Sequence, residues 1–384
     1  MARRIPLAWL QLRRQPLRTL VGVAGVAFAV TLVFMQLGFA KALFKSAVRF
    51  HEQLRTDIVL VNPLSEMLPR MTPFARVRLY QVLGHPAVES VAPVYADMGN
   101  WKNLATRTTR GILVAGLDPA DDSFELAAVR ENRALLRYPD VVLFDEGARA
   151  EFGPVAAGWR SGERVEAEVD NRRIQIGGLF AIGTSFGIDG SIITSDLNFL
   201  RMFPARDRGL IDIGLIRLRQ GVDPVAVRDE LRRTIPHDVD VLTKADFIQR
   251  EIKYWATTTP IGFVFNFGVV IGIVVGAIIV YQILFADISE HLPEYATLKA
   301  MGFTNGYVVS VVVQQACLLA LLGYVPGLVV SAGLYHLTAT ATRLPMQLTV
   351  GTGLLVLILT VGMCIVSAAI AMRKVRSADP AEIF

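Results

Sequence analysis

Residues 294–305, with the sequence EYATLKAMGFTN, form a short polar stretch that holds an acid, a lysine and a Met-Gly pair. Two long runs without a charged residue, 254–286 and 300–342, flank its charged positions. Two interpretations follow. The stretch is either a plain turn between two membrane helices, or a docking site for a partner outside the membrane.

Other residue types that could do chemistry are sparse or poorly spaced. No Gly-Lys dipeptide occurs, which excludes a Walker A phosphate loop. Ser185, Ser191 and Asp196 could suggest a nucleophile and its partner, but Ser-Asp before an apolar run is more typical of a helix cap. The histidines lack metal-ligand spacing: His51, His85, His237, His291 and His336. We therefore predict that the chain has no catalytic residue, metal site or bound cofactor.

The elements that must position the polar stretch are apolar. Of 384 residues, 53% are hydrophobic and 19% charged, and the mean hydropathy is +0.44. No Asp, Glu, Lys or Arg occurs in residues 19–40, 254–286, 300–342 or 344–372. A helix of about 20 residues crosses a hydrocarbon core of about 30 Å. We predict four transmembrane helices, the third kinked at Pro326.

The first run has an alternative interpretation as a secretory signal, because Ala40-Lys-Ala42 resembles a cleavage site. The apolar part of a signal peptide spans about 7–15 residues, and this run is longer, so we expect it to be retained. The only cysteines, Cys317 and Cys364, fall in predicted spans, so the domain outside the membrane has no disulfide. Polar side chains inside the predicted spans are expected to bond across helix interfaces: Gln36, Asn266, Gln282, Gln314 and Gln315.

Basic residues set the predicted orientation. Five arginines precede the first run, and Arg373, Lys374 and Arg376 follow the last, which places both termini in the cytoplasm. The excess of base beside the spans favours anionic lipid over nucleic acid as a partner. The predicted segments are a cytoplasmic amphipathic N-terminus (1–18), spans (19–44, 257–286, 307–334, 349–372), a periplasmic α/β domain with stalk helices (45–256), a cytoplasmic coupling region (287–306), a short periplasmic loop (335–348) and a cytoplasmic tail (373–384).

The domain outside the membrane shows a mixed α/β pattern. Alternating residues around Asp170-Asn171 predict a hairpin. Residues 211–242 predict a strand, a helix with Asp223 as N-cap and Pro224 at its first position, and a second strand. This unit favours a small fold of the ferredoxin-like kind, which by itself implies no function.

Two segments beside the membrane keep apolar residues near helical spacing, 41–54 and 244–255. We expect them to extend the first and second spans outward as a two-helix stalk. Its predicted contact residues are Phe44, Val48, Phe247 and Ile252. The alternative is a pair of ordinary surface helices.

A large outside domain between the first and second of four spans resembles the MacB/FtsX-type permeases of ABC transporters. Within that family the chain looks like the DevC-type permeases, known from glycolipid export in heterocyst-forming cyanobacteria. The similar stretches run almost from end to end: FMQLGF, LYQVL, WKN, VLFD, DGSIITSDLNFLRMFP, PIGFVFNFG, EYATLKAMGF, AGLYHL and ADPAEIF.

The resemblance implies a transport subunit rather than an enzyme. Such permeases dock a short coupling helix on a separate cytoplasmic ABC ATPase, of the DevA type here, which binds the ATP and Mg²⁺. The matching residues would be Glu294, Tyr295, Leu298, Lys299, Met301 and Gly302. Acids outnumber lysine in this region (Asp287, Glu290 and Glu294 against Lys299), and we expect them to face a basic groove on that partner.

Further partners are implied by the same resemblance. They are a second copy of the chain, a DevB-like periplasmic membrane-fusion adaptor and a TolC-like outer-membrane channel. The assembly would lie in the bacterial inner membrane and export a lipid-like or other envelope substrate. The alternatives are an FtsX-like regulator of a cell-wall hydrolase, a lipoprotein-releasing permease and a membrane sensor.

Overall fold

The structure is a computed structural model that describes Trp9, residues 13–104 and residues 106–377, without the side chains of 296, 298–300, 305 and 374–377. Much of the predicted N-terminus 1–18 and of the tail 373–384 lies outside the described residues. As far as it is described, the chain forms a helical unit (1–42, 260–341 and 346–384) and an α/β unit (43–259 and 342–345).

Helices account for most of the helical unit and for the shorter connections of the α/β unit. The helices are α1 (Pro16–Ala47), α2 (Arg49–Gln53), α3 (Val77–Leu83), α4 (Ala127–Asn132), α5 (Val155–Arg160), α6 (Asp196–Met202), α7 (Pro224–Thr234), α8 (Lys244–Lys253), α9 (Pro260–Glu290), α10 (Leu292–Ala300), α11 (Asn305–Thr342) and α12 (Val350–Ser377). The strands are β1 (Ile58–Val61), β2 (Phe74–Ala75), β3 (Val88–Lys102), β4 (Thr109–Leu117), β5 (Val141–Asp145), β6 (Glu166–Val169), β7 (Arg172–Phe180), β8 (Ser191–Ser195), β9 (Leu210–Ile211), β10 (Ile213–Leu218) and β11 (Asp240–Thr243).

Four helices in the described part of the chain are long and apolar enough to cross a membrane: α1, α9, α11 and α12. They agree in number and order with the predicted spans. Glycines let α9 approach α1 closely. A Cβ at Gly272 would lie 3.0 Å from Val33 Cγ2, and one at Gly276 would lie 2.6 Å from Ala29 Cβ. Small residues at such interfaces allow the backbone contact that holds helices together in lipid.

Helix α11 also packs against α1, and the contact is of the same kind. A Cβ at Gly323 would lie 2.5 Å from Val26 Cβ, and one at Gly327 would lie 2.7 Å from Val30 Cγ1. Both α9 and α11 therefore carry glycines four residues apart where they meet α1. Helix α1 is the central element of the helical unit.

The third span corrects the predicted boundaries. The loop predicted for 335–348 is wrong at its start, because α11 continues through Pro326 to Thr342. Tyr335 is 3% exposed, and its hydroxyl donates to the Phe34 carbonyl at 2.5 Å, so this segment packs instead of leaving the bundle. The helix ends at Thr342, and Arg343 follows with φ of 56°, a left-handed conformation that does not continue the helix.

The strand order of the α/β unit confirms the ferredoxin-like prediction. Strands β11-β1-β10-β3 are neighbours, and every adjacent pair is antiparallel. With α3 between β1 and β3 and α7 between β10 and β11, this is the β-α-β-β-α-β arrangement. Residues 103–212 are inserted between its second and third strands.

The insertion extends the same sheet and closes it into a ring. The order continues β3-β4-β8-β5-β7-β6, and β6 pairs back with β3 through Trp101↔Val169 and Lys102↔Glu168. Trp101 is 1% exposed and packs its ring 5.2 Å from that of Phe144. Because β3 has 15 residues, it belongs to both the ferredoxin-like part and the six-stranded ring.

Two local predictions in this unit are confirmed. Strands β6 and β7 form an antiparallel hairpin, with Asp170 and Asn171 at φ of 44° and 64° in its turn. Positive φ at both central positions is the requirement of a type I′ turn. Helix α7 begins with Pro224, and the Asp223 side chain accepts the Val225 N–H at 3.0 Å.

The glycine contacts of α1 lead to a stability prediction. We expect Gly272→Leu to lower the melting temperature of the detergent-solubilised protein, because the three nearest atoms to its Cβ position all belong to α1 and overpacking costs about 1–3 kcal/mol. Gly333→Leu in α11 is the matched control, since no atom lies within 4 Å of its Cβ position. Equal melting temperatures for the two variants would contradict the close α1–α9 contact.

Candidate coupling and stalk sites

The predicted coupling segment forms a short helix between two candidate spans. Helix α10 follows α9 after a single residue, and Gly302 lies two residues beyond its end with φ of 92°. Glycine suits this left-handed C-terminal position, because a side chain there is strained. The side chains of Leu298 and Lys299 lie outside the described residues, so their predicted role stays a prediction.

Glu294 and Tyr295 do not share one exposed face, which corrects the predicted docking surface. Glu294 is exposed, whereas Tyr295 is only 2% exposed and belongs to the interior of the helical unit. Neighbouring residues of a helix lie about 100° apart, so one can face inward while the other faces solvent. Among these two residues only Glu294 is available to a partner.

Two of the three acids of this region bond within the chain, and the basic groove expected on the partner stays a prediction. Asp287 is 5% exposed and accepts a hydrogen bond from Gln315 Nε2 at 2.7 Å. Glu290 accepts from Arg18 Nη1 at 2.8 Å and from Gln15 Nε2 at 2.7 Å. Glu290 and Glu294 are both exposed, and of these two Glu290 is already paired with Arg18.

Two exposed apolar side chains follow Glu294 in the sequence. Met301 is 63% exposed and Phe303 is 44% exposed. Phe303 also stacks on Tyr307, with ring centroids 4.9 Å apart. Met301 belonged to the predicted docking residues and Phe303 did not, although an aromatic residue directly after the Met-Gly pair was a visible signal. An exposed acid beside exposed apolar side chains is the composition of a protein contact.

The stalk segments are helical, but the second does not continue into its span. Helix α8 is followed by a π-helical segment, Tyr254–Thr258, and by Thr259 in an extended conformation with ψ of 149°. The residue before a proline is driven out of the helical region, and Pro260 begins α9. The expectation that this segment extends the second span outward is therefore wrong at Thr259, where the helix is interrupted.

The four predicted stalk residues differ in burial. Phe247 and Val48 are each 4% exposed, and Phe44 and Ile252 are half-buried. Helices α2 and α8 meet where the His51 ring lies 4.5 Å from the Phe247 ring. Their role as a stalk stays a prediction.

A buried carboxylate, which the sequence analysis missed, holds this meeting point together. Glu251 is 4% exposed and accepts the Trp255 Nε1–H at 2.9 Å and the Leu68 N–H at 3.1 Å. Its Oε2 lies 3.5 Å from His51 Nε2. The available signal was an acid at position 251 on a helix face that also carries Phe247 and Trp255, at a spacing of four residues.

Burial favours the neutral form of both partners. It raises the pKa of Glu251 to about 7, against the lowering effect of its two N–H donors, and lowers the pKa of His51 to about 3. A separation of 3.5 Å is short enough for an ion pair. Because desolvation disfavours both charges, we treat the contact as a neutral pair in mildly acidic solution.

The serines considered as nucleophiles have structural roles. Ser185 lies in GTSFG, residues 183–187, which fits the G-x-S-x-G spacing, but it lies in the loop between β7 and β8 instead of a strand-to-helix elbow. Its Oγ accepts the Ile188 N–H at 3.1 Å. Ser191 donates to buried Asp145 at 3.1 Å, and Ser195 caps α6 by accepting the Asn198 N–H.

Two family models match the chain. The MacB-like periplasmic core domain covers residues 19–234, more than half of the sequence, and the FtsX-like permease C-terminal covers residues 266–380. No curated protein matches the chain.

Three solved structures are similar to about half of the chain. The periplasmic region of MacB from Actinobacillus actinomycetemcomitans is 10% identical with a TM-score of 0.36, and the match covers 53% of this chain and 96% of that one. The extracellular domain of the ABC-type transporter YknZ from Gram-positive bacteria is 10% identical with a TM-score of 0.31, and the match covers 49% of this chain and 100% of that one. A permease domain from Porphyromonas gingivalis is 18% identical with a TM-score of 0.30, and the match covers 50% of this chain and 90% of that one.

The two buried groups make opposite contributions to stability. Glu251 binds a proton in the folded state between pH 4.5 and about 7 that the unfolded chain does not bind, so its contribution is lost as the pH rises through 7. His51 remains unprotonated in the folded state down to about pH 3, whereas the unfolded chain is protonated below 6.5, so its contribution is lost as the pH falls. Between pH 4.5 and 6.5 the two slopes cancel.

We therefore expect His51→Phe to unmask the slope of Glu251. In this range the unfolding free energy of the variant should fall by about 1.4 kcal/mol per unit of rising pH relative to that of the wild type, because the other titrating groups contribute alike to both curves. Unfolding of the full-length protein in detergent, followed from pH 4.5 to 6.5, measures both curves. Parallel curves would contradict the assigned neutral pair.

Proposed function

Because the chain belongs to the MacB/FtsX-like family of ABC transporter permeases, we propose that it is the membrane subunit of a tripartite exporter. A separate cytoplasmic ATPase would hydrolyse ATP, and the chain would transmit the resulting movement across the inner membrane. The observation that carries this proposal is the order of elements: a MacB-like domain between the first and second of four candidate spans, followed by an FtsX-like C-terminal half.

The segment between α9 and α11 supports the proposed coupling role. Helix α10 is short, it joins two candidate spans directly, and it presents Glu294 while Met301 and Phe303 are exposed just after it. With both termini in the cytoplasm, this segment faces the ATPase. The complementary surface on the ATPase would carry a basic residue for Glu294 and, beside it, an apolar pocket for Met301 and Phe303.

The remaining partners follow from the DevC-like stretches of the sequence. We propose a homodimer that works with a periplasmic membrane-fusion adaptor and an outer-membrane channel. The proposed cargo is a lipid-like envelope substrate. The α/β unit, which lies outside the cytoplasm, would meet the adaptor.

An FtsX-like regulator of a cell-wall hydrolase is the second candidate, because the match to the FtsX-like permease model covers the last three spans. Affinity purification of the tagged chain from its native membrane separates the two functions. Recovery of an ATPase with an adaptor supports export, and recovery of an ATPase with a hydrolase supports the regulator. Recovery of a kinase without an ATPase would overturn both.

Docking of the ATPase gives a mutational prediction. Glu294→Lys should weaken capture of the ATPase at least tenfold, since a desolvated charge pair broken in this way costs about 2–5 kcal/mol. Met301→Asp should act similarly by placing a charge in an apolar contact. Glu131→Lys, which changes an exposed acid of α4, is the charge-matched control. If Glu294→Lys and Met301→Asp both capture the ATPase as the wild type does, the docking role is wrong and the segment between α9 and α11 is a plain turn.

The proposed orientation is tested with single cysteines. In whole cells an impermeant maleimide should label Arg164→Cys and Asp170→Cys in the α/β unit. It should label Lys299→Cys only after lysis. The native Cys317 and Cys364 lie within α11 and α12, where the reagent does not reach them. Labelling of position 299 in intact cells would reverse the topology.

A further inference from the structure

A buried polar contact joins α9 to α11 just before the coupling helix begins. Asp287 lies three residues before the end of α9, and Gln315 lies ten residues into α11. Gln315 Nε2 donates to Asp287 Oδ2 at 2.7 Å, and the two residues are 2% and 5% exposed. This contact confirms, for Gln315, the expectation that amides in the spans bond across a helix interface.

The same aspartate also lies at the start of the connection to α10. The His291 N–H donates to the Asp287 carbonyl at 3.1 Å, and His291 Nδ1 lies 2.9 Å from that oxygen. The Tyr295 N–H in turn donates to the His291 carbonyl at 3.0 Å. Backbone hydrogen bonds therefore continue from α9 into α10, and Asp287 ties this continuous segment to α11.

The polar character of the contact matters, because apolar packing alone would hold two membrane helices loosely in register. A hydrogen bond between two buried side chains has one geometry, whereas apolar side chains tolerate sliding by a fraction of a turn. Gln315 Oε1 is buried and has no hydrogen-bond partner among the described residues, so Asp287 is the one polar anchor found there for Gln315. A single directional bond thus fixes the register of α9 against α11.

We propose that Asp287 and Gln315 are positioning residues that couple the two spans to the docking helix. When a partner displaces α10, the Asp287–Gln315 bond would make α9 and α11 move together. Without the bond, α10 would move α9 through the backbone while α11 lags. This inference rests on the proposed function, and it adds a transmission step that is distinct from docking of the ATPase.

The test separates docking from transmission. Gln315→Met keeps the length of the side chain and removes the donor. Gln314→Met is the matched control, because Gln314 is the neighbouring glutamine on the same helix and its side chain is exposed. Docking is measured as capture of the co-purifying ATPase. Transmission is measured in proteoliposomes as the ATP-dependent change in maleimide labelling of Lys253→Cys, an exposed position of the α/β unit.

We expect Gln315→Met to capture the ATPase as the wild type does, while its ATP-dependent labelling change falls about fivefold or more, a typical size for lost coupling between sites. Asp287→Asn retains an acceptor oxygen for Gln315, so this single variant should keep most of the ATP-dependent labelling change of the wild type. If Gln315→Met fails to accumulate, Asp287→Ala breaks the same bond from the other helix. A normal labelling change in an assembled Gln315→Met complex, or an equal loss in Gln314→Met, would overturn the inference.

Failure of the proposed function gives a different result. If the wild-type chain captures no ATPase, or captures it without any ATP-dependent change at position 253, the coupling function is wrong and the inference falls with it. Loss of capture in Gln315→Met alone would also count against the inference, because the pair would then belong to docking.

Discussion

Close backbone contact around α1 is the constraint on which the helical unit depends. In a bilayer, apolar side chains gain nothing by leaving lipid for one another, so helices associate through tight packing and hydrogen bonds. The contacts of Gly272 with Val33 and of Gly323 with Val26 bring α9 and α11 against neighbouring parts of α1. Because α1 runs on to Ala47, past the start of the α/β unit at Leu43, the helix held by these contacts is also the first connection between the units.

The α/β unit is held together by a different kind of interaction, the burial of both faces of a sheet. Alternate residues of β1 enter different clusters, Ile58 in one and Val59 in the other. The long loop between β7 and β8 is fixed from within by Asp145, which is fully buried and accepts from the Ile182 and Gly183 N–H groups. Burial raises the pKa of this carboxyl, and its hydrogen bonds oppose that shift.

Local sequence signals predicted local structure well. Asp223 and Pro224 specify the start of α7 through neighbouring atoms only, and the Asp170-Asn171 turn likewise depends on its own two φ angles. The end of α11 was mispredicted because His336 and the threonines after it look polar. In the helix, the Thr340 hydroxyl donates to the His336 carbonyl at 3.1 Å, so it needs no water.

Contacts between distant residues could not be predicted in this way. His51 and Glu251 are 200 positions apart, and Asp287 and Gln315 are 28 apart, so no periodicity links them. The spacing of the glycines in α9 can be read from the sequence, but the helix that packs on them cannot. Spacing shows which face of a helix carries small residues, and it does not show which helix contacts that face. The burial of Tyr295 could not be predicted for the same reason, since it depends on the rest of the helical unit.

Two kinds of contact, close packing at glycines and a directional hydrogen bond, position helix α9. It is 31 residues long, its only proline is at the first position, and its most apolar part is less buried than that of the other three candidate spans. Lipid-facing side chains such as Phe263 set no register along the helix axis. Glycine contacts in its middle fix how near it lies to α1, and the directional bond of Asp287 near its end fixes where it lies along α11. A second directional bond, from the Ser367 hydroxyl to the Ala277 carbonyl at 2.8 Å, ties the same helix to α12, so polar contacts link α9 to two of its neighbours.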